Sequence, residues 1–403
     1  MSRAASDRRL AACASIAAPG SIAAADSIAT ELVSLARAAQ IGDVAEKVLA
    51  RERLSRADGE RLYRADLHAV GALANEVRER MHGDVAYFNV NQHVNYTNIC
   101  NKLCRFCAFQ RLPGQDGAYW WTPEQCAEKI REHLEEPVTE VHMVAGIHPK
   151  LEYGYYLELL RAVKRARPSI HIKAFTMVEL DQIAKKAKKP LEDVLPELID
   201  AGLGSVPGGG AEIFSERVRQ ETYHLKISGD EWLAIARKVH RAGLKSNCTM
   251  LHGHIETIEE RVDHLDRLRT LQDETGGFQT YIPLSFHPEN SEMADVAGPT
   301  ALDELREIAL GRLMLDNIPH VKAYWILMDI PIAQLALAYG ADDVDGTVVE
   351  EKIYHEAGAT TPQRVQRGEL IRWIRDAGRV PVERDTLYNV VWRDEPSAIA
   401  ATR

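Results

Sequence analysis

From about residue 85 onward, segments of strand character alternate with segments of helical periodicity. That order restricts the chain to a few α/β architectures. Strand candidates fall at 87–94, 140–145, 170–174, 204–206, 244–249, 278–284, 320–325 and, as a short segment, near 343–346. Between them, helical patterns run over 123–135, 153–166, 180–201, 230–242, 257–274, 302–318 and 330–339. Several stop at glycine, as in Ala201-Gly202 and Ala242-Gly243, where a left-handed cap is cheap. Eight strands with seven intervening helices are what a (β/α)8 TIM-type barrel requires. An open parallel sheet is the alternative, and the weak fourth and eighth strands are where the count can fail.

The flanks divide as follows. Residues 1–45 form an Ala/Ser-rich extension, disordered or helical from alanine propensity. Arg3, Arg8 and Arg9 loosely suggest a targeting segment, but Asp7, Asp26 and Pro19-Gly20 interrupt it. Residues 46–84 read as a helical preface, with Leu67, Val70, Leu73 and Val77 at helical spacing. The barrel core is expected over 85–350. Residues 351–403 form a C-terminal extension packing on the barrel, with a helix at 368–377 and a polar tail.

A net charge of -10, from 49 basic and 59 acidic side chains, repels nucleic acid and anionic membranes at long range. No apolar run approaches the roughly 20 residues of a membrane-spanning helix, so the chain reads as soluble. Of six cysteines, three crowd into eight residues, which suits a reducing, cytoplasmic setting better than a disulfide scaffold.

Those three, Cys100, Cys104 and Cys107, follow the first strand candidate. In a barrel, residues just after the strands share the C-terminal face, where binding loops converge. Thiolates are soft ligands suited to iron–sulfur clusters. At spacings of four and three they can hold one face of a [4Fe-4S] cubane and leave one iron open. The rival is structural zinc, which normally takes four protein ligands, and no nearby fourth cysteine completes such a pattern. Cys126 lies inside a helical pattern and His93 on a strand, where each reads as a structural residue. Phe106, between the second and third cysteines, either shields the cluster and packs near an adenine or serves as a core aromatic.

The Cys-x3-Cys-x2-Cys spacing resembles the radical S-adenosylmethionine (SAM) superfamily. The runs 98–109, 145–149, 173–176 and 207–212 resemble its menaquinone and deazaflavin branch. Within that branch the runs 285–290, 322–325 and 340–347 are most similar to the aminodeoxyfutalosine synthases, and 379–388 fits them less selectively. The similarity spans roughly residues 45–392. One departure is Ala145, where a glycine often stands. The resemblance implies one [4Fe-4S] cluster, SAM as a consumed co-substrate, and an electron donor such as flavodoxin or ferredoxin. It also implies the reaction: the 5'-deoxyadenosyl radical adds to the enol ether of 3-[(1-carboxyvinyl)oxy]benzoate. The products are 6-amino-6-deoxyfutalosine, methionine and bicarbonate, in menaquinone biosynthesis. Sister enzymes, of the cyclic dehypoxanthine futalosine or deazaflavin synthase type, abstract hydrogen instead. A non-catalytic metal-binding scaffold is the alternative of another class.

With that resemblance, Gly146, His148, Glu179 and Glu212 are candidates for holding SAM. Their plain alternatives are a turn glycine, a loop histidine beside Pro149, and helix-start carboxylates favoured by the helix field. His252, His254 and His287 are candidates for acid–base or carboxylate-binding work, because imidazole titrates near neutral pH. Satisfied structural histidines are the alternative. The implied substrate carries two carboxylates, so Arg384 is a candidate partner, unless it pairs with Glu383 or Asp385.

Overall fold

The computed structural model describes residues 22–394. The expected extension therefore lies partly outside the described residues, as does the end of the polar tail. Helices Ile22–Ala38, Gly42–Ala50, Arg56–Arg64 and Leu67–His82 come first. Each break has a local cause: Arg51 takes φ 60° after the second helix, and Ser55 and Asp66 accept backbone N–H groups at the starts of the next two.

The first strand candidate is split at Val90 into β1 (Val85–Asn89) and β2 (Asn91–His93). Parallel to it follow β3 (Glu140–Met143), β4 (His171–Ala174), β5 (Leu203–Val206), β6 (Lys245–His252), β7 (Phe278–Ser285) and β8 (His320–Val321). Strands β2 to β8 form one seven-stranded sheet in sequence order. β9 (Asp343–Gly346) closes the ring. It pairs with β1, and a Lys322–Asp343 bridge and the Asp342 N–H on Val321 O join it to β8. The strands thus curl into the expected barrel, with β1 and β2 acting as one strand.

Three differences from the sequence pattern have physical reasons. The pattern over 180–201 is two helices, Met177–Ala187 and Leu191–Ala201: Lys188 takes φ 54°, and Pro190 cannot donate to a continuing helix. The strand expected over 320–325 is only β8, His320–Val321: Trp325 opens the short helix Trp325–Met328 and donates its indole N–H to Gly346 O (2.9 Å). The C-terminal extension holds a helix, Arg367–Asp376, and also two strands, β10 (Val380–Arg384) and β11 (Val390–Arg393).

β10 runs parallel to β1, pairing Val85–Phe88 with residues 380–383, and so occupies the edge of β1 below the start of β3. The turn after it passes beneath the barrel. Gln279 Nε2 donates to Thr386 O (3.0 Å), and the Tyr388 ring stacks on His320 with centroids 3.5 Å apart. Gln279 and His320 stand at the N-terminal ends of their strands. The extension therefore plugs the bottom of the barrel, opposite the cysteines.

Candidate active site

Between β2 and the helix Pro123–Arg131, the chain makes a cysteine loop tied down on both sides. Cys100 N–H donates to Arg111 O (3.0 Å) and Arg111 N–H to Asn98 O (2.9 Å). The loop after β3 docks against it through Asn101 N–H on Ile147 O (3.1 Å) and Gly146 N–H on Thr97 O (2.9 Å). A Cβ on Gly146 would lie 2.5 Å from Ile99 O, so this position tolerates no side chain. Gly146→Ala is expected to push the two loops apart at a cost of about 1–3 kcal/mol. Iron loading after reconstitution, set against unchanged circular dichroism, checks this.

Cys104 is buried, Cys100 and Cys107 are half-buried, and all three line one cavity. Burial pushes the Cys104 and Cys107 thiols up, and the neighbouring sulfurs add to it. The residue groups with three ligand atoms all within 4.8 Å, among the described residues, are His82–His320–Asp342 and Glu132–His133–Glu350. The cysteine sulfurs are not among them. They are spread too widely to close on one zinc ion, and suit a larger object such as a cubane cluster.

The cavity runs from these sulfurs into the barrel, with Ile282, Leu284 and Phe106 on its apolar walls. Its depth is charged. Lys173 pairs with Glu140 (2.8 Å) and Lys322 with Asp345 (3.1 Å), all four side chains being nearly inaccessible. Near the sulfurs, Glu212 holds φ 48° and pairs with Lys226. The Lys226 ammonium stands 5.2 Å from the Phe106 ring centroid and 5.7 Å from that of Tyr223. Burial opposes its charge, but Cys104 and Glu212 outweigh that and hold its pKa above the usual lysine range. Lys226 carries no motif, and only the fold brings it to the cysteines.

A model of the radical SAM superfamily matches residues 94–268, and one of the CofH/MqnC C-terminal region matches 275–399. The aminodeoxyfutalosine synthase of Thermus thermophilus is 49% identical over 353 residues, covering 86% of this chain and 95% of that one. The chain belongs to the radical SAM superfamily, among the aminodeoxyfutalosine synthases. The Streptomyces coelicolor aminodeoxyfutalosine synthase is 45% identical, over 87% of this chain and 93% of its own. Among solved structures, methylornithine synthase (PylB) superposes with a TM-score of 0.67 at 17% identity, covering 83% of this chain and 96% of that one. That similarity extends the fold alone. A radical SAM enzyme uses a [4Fe-4S] cluster and SAM, and Cys100, Cys104 and Cys107 are the residues that would hold the cluster here. No helix among the described residues is long and apolar enough to cross a membrane.

The barrel brings several other expected residues of this radical SAM enzyme to the cavity. Phe106, Gly146, Glu212 and His287 line it together with the cysteines. His287 is oriented by a hydrogen bond between its Nε2 and Leu327 O (3.0 Å). Five other expected residues are not in the lining. His148 is buried in its own loop, with Nδ1 accepting the Lys150 N–H (3.0 Å). His252 is fully buried, and burial holds its imidazole well below the usual range, hence neutral. His254 faces Glu256 (3.2 Å) and Leu251 O (3.2 Å) rather than the cavity.

Arg384 corrects its expected pairing as well as its place. It bonds Asp343 (2.6 Å) at the plugged end of the barrel, not Glu383 or Asp385 side chains. The reason is the β10 register, which points its side chain inward beneath the strands, a position that alternation alone leaves undetermined.

Glu179 is a helix-start carboxylate that also braces the loop after β3. It accepts Thr176 N–H (2.8 Å), Tyr96 O–H (2.7 Å) and Ala145 N–H (3.3 Å). Burial, against those bonds, pushes its carboxyl up to about 7. A folded pKa above the unfolded one gives stability that is fully present at low pH and lost as pH rises through the folded value. Thermal unfolding across about pH 5 to 8 should therefore show a decline that Glu179→Gln flattens.

Proposed function

We propose that the chain joins the 5'-deoxyadenosyl group of SAM to 3-[(1-carboxyvinyl)oxy]benzoate. The products are 6-amino-6-deoxyfutalosine, methionine and bicarbonate, the last drawing its extra oxygen from water. The reaction serves menaquinone synthesis by the futalosine pathway, in the cytoplasm, with an external one-electron donor.

One observation carries the reading: a three-cysteine loop opens onto a deep, partly charged cavity in a chain nearly half identical to an aminodeoxyfutalosine synthase. When bound, the cluster would supply the electron that cleaves SAM to methionine and the deoxyadenosyl radical, and one electron would be given back as the carboxyl group leaves, so the net reaction is redox neutral. The chain's own groups do the rest. Phe106 and the aliphatic wall exclude water from a reactive species. The Lys226–Glu212 pair and the Gly146 loop hold the cofactor end. Lys173 and Lys322, each paired with a carboxylate, are the cationic donors at the deep end for an aryl carboxylate, and neither is left as a bare cation when it departs. His287, held by a backbone carbonyl, presents its other ring nitrogen toward the substrate.

The ratio of methionine to free 5'-deoxyadenosine, measured by liquid chromatography, tests this. Methionine formed without matching free deoxyadenosine is expected. A one-to-one ratio with the enol ether present would move the function to a sister reaction.

A further inference from the structure

We infer that His93 and His142, neighbours on β2 and β3, bind the ring carboxylate of the benzoate and so set the choice of substrate. This rests on the reading of the reaction given above and adds two residues to it. The pair stand directly opposite each other in the parallel register of their strands. Their rings meet edge to face, with centroids 4.6 Å apart. Both line the cavity, His93 only 5% exposed and His142 half-buried. Nε2 of each is buried and finds no hydrogen-bond partner among the described residues. His252 and His254 also keep a ring nitrogen without a hydrogen bond, but neither lines the cavity. A buried polar atom left unpaired costs stability, and two side by side in a cavity wall point to a ligand that supplies the missing partner.

The chemistry of the surroundings favours an anion held by neutral donors. Burial holds both imidazoles below the usual histidine range, so each is neutral and carries one N–H. Around them, Lys173 is committed to Glu140 (2.8 Å) and Lys322 to Asp345 (3.1 Å). Glu351 also lines the cavity, but its carboxylate accepts the Ile353 and Tyr354 N–H groups (2.7 and 3.0 Å). The imidazole N–H groups are therefore the uncommitted, directional donors. A carboxylate offers two oxygens, one for each ring. Neither Nε2 is open to solvent, so each ring turns about its Cβ–Cγ bond to reach it, a torsion with broad wells.

Depth decides which carboxylate they take. His93 and His142 stand within their strands, below the loops that carry Cys100 and Gly146. The enol ether must lie nearest those loops, so the carboxylate on the ring is the one that reaches down. Nearer the mouth stands Asn95, whose Nδ2 donates to Val144 O (2.8 Å). That bond leaves its Oδ1 buried, unpaired and an acceptor, which repels a carboxylate. The anion therefore belongs at the histidines and not above them. A site built to bond one group rejects an analogue that lacks it, because its own donors are then left unpaired.

Titration calorimetry on the reconstituted enzyme, with SAM and no reductant, measures binding without turnover. The ligands are 3-[(1-carboxyvinyl)oxy]benzoate and 2-phenoxyacrylate, the same enol ether without the ring carboxylate. The wild type should prefer the benzoate by about tenfold or more. His93→Phe and His142→Phe each keep an aromatic ring and lose the N–H. Each should weaken benzoate binding roughly tenfold and leave phenoxyacrylate within about twofold, so that the preference collapses. Where circular dichroism shows a phenylalanine variant unfolded, His93→Asn and His142→Asn carry the same comparison, their shorter side chains falling short of the carboxylate. Equal weakening of both ligands, or an undiminished preference, would overturn the carboxylate site alone. A wild type that cleaves SAM with dithionite but binds neither ligand would overturn the substrate reading and this inference with it.

Discussion

Alanine at Cys100, Cys104 or Cys107 is expected to remove both the iron–sulfur absorbance and reductive SAM cleavage. Three sulfurs held by one loop are the whole protein ligand set, and two cannot fix a cubane with one iron reserved for SAM. The loss should exceed the roughly 10–100-fold that removal of a supporting group around a metal site costs. The fold should survive, because the loop is anchored by backbone bonds at Asn98, Cys100 and Asn101 rather than by the thiols. Cys126 and Cys248 are the internal controls. Both are fully buried, one in the helix Pro123–Arg131 and the other on β6, with the Cys248 thiol toward Thr280 O (3.6 Å). Alanine at either should leave iron content unchanged. Iron and sulfide assays, with electron paramagnetic resonance of the reduced protein, check the set. Full iron loading in a Cys107→Ala protein would remove the three-ligand account.

Arg384→Ala should destabilise the protein by about 3–5 kcal/mol, because it leaves the buried Asp343 carboxylate without its partner. Both side chains are essentially inaccessible, and Arg384 also donates to Asp385 O (3.1 Å) to shape the turn that carries Tyr388. Burial opposes the charge on Arg384, but Asp343 outweighs it and holds the guanidinium pKa above its usual range. The pair therefore stays ionised. Replacing both partners with apolar residues of similar size, as in Arg384→Met with Asp343→Leu, should recover much of the loss. Denaturant unfolding measures both variants. A direct substrate contact would show the opposite pattern, with stability kept and the Michaelis constant for the benzoate raised.

How far the site was legible follows from where its information lies. The cysteine spacing and the glycine of 145–149 are local signals, and each stands at the cavity. The alternation of strands gave the barrel, because each helix signal and each apolar strand is also local. The split of β1 from β2, and of the 180–201 pattern, turned on single residues such as Lys188 and Pro190, which periodicity averages over. The plug was harder. β10 is a five-residue stretch that ends in Glu383 and Arg384, and its pairing with β1 joins residues almost 300 positions apart. Without that pairing, Arg384 looks like a free cation. Lys226 and the Lys173–Glu140 and Lys322–Asp345 pairs were hidden for the same reason: on one strand or loop they are isolated charges, and only closure of the barrel sets them around one cavity.

The central claim is that the adenosyl group ends in the product. SAM labelled in its adenosyl carbons, incubated with reconstituted enzyme, dithionite and 3-[(1-carboxyvinyl)oxy]benzoate, tests it most directly by mass spectrometry. The account predicts the label in a molecule that also contains the benzoate ring and has lost the acrylate carboxyl. Label found only in free 5'-deoxyadenosine, with the benzoate unconsumed, would contradict it.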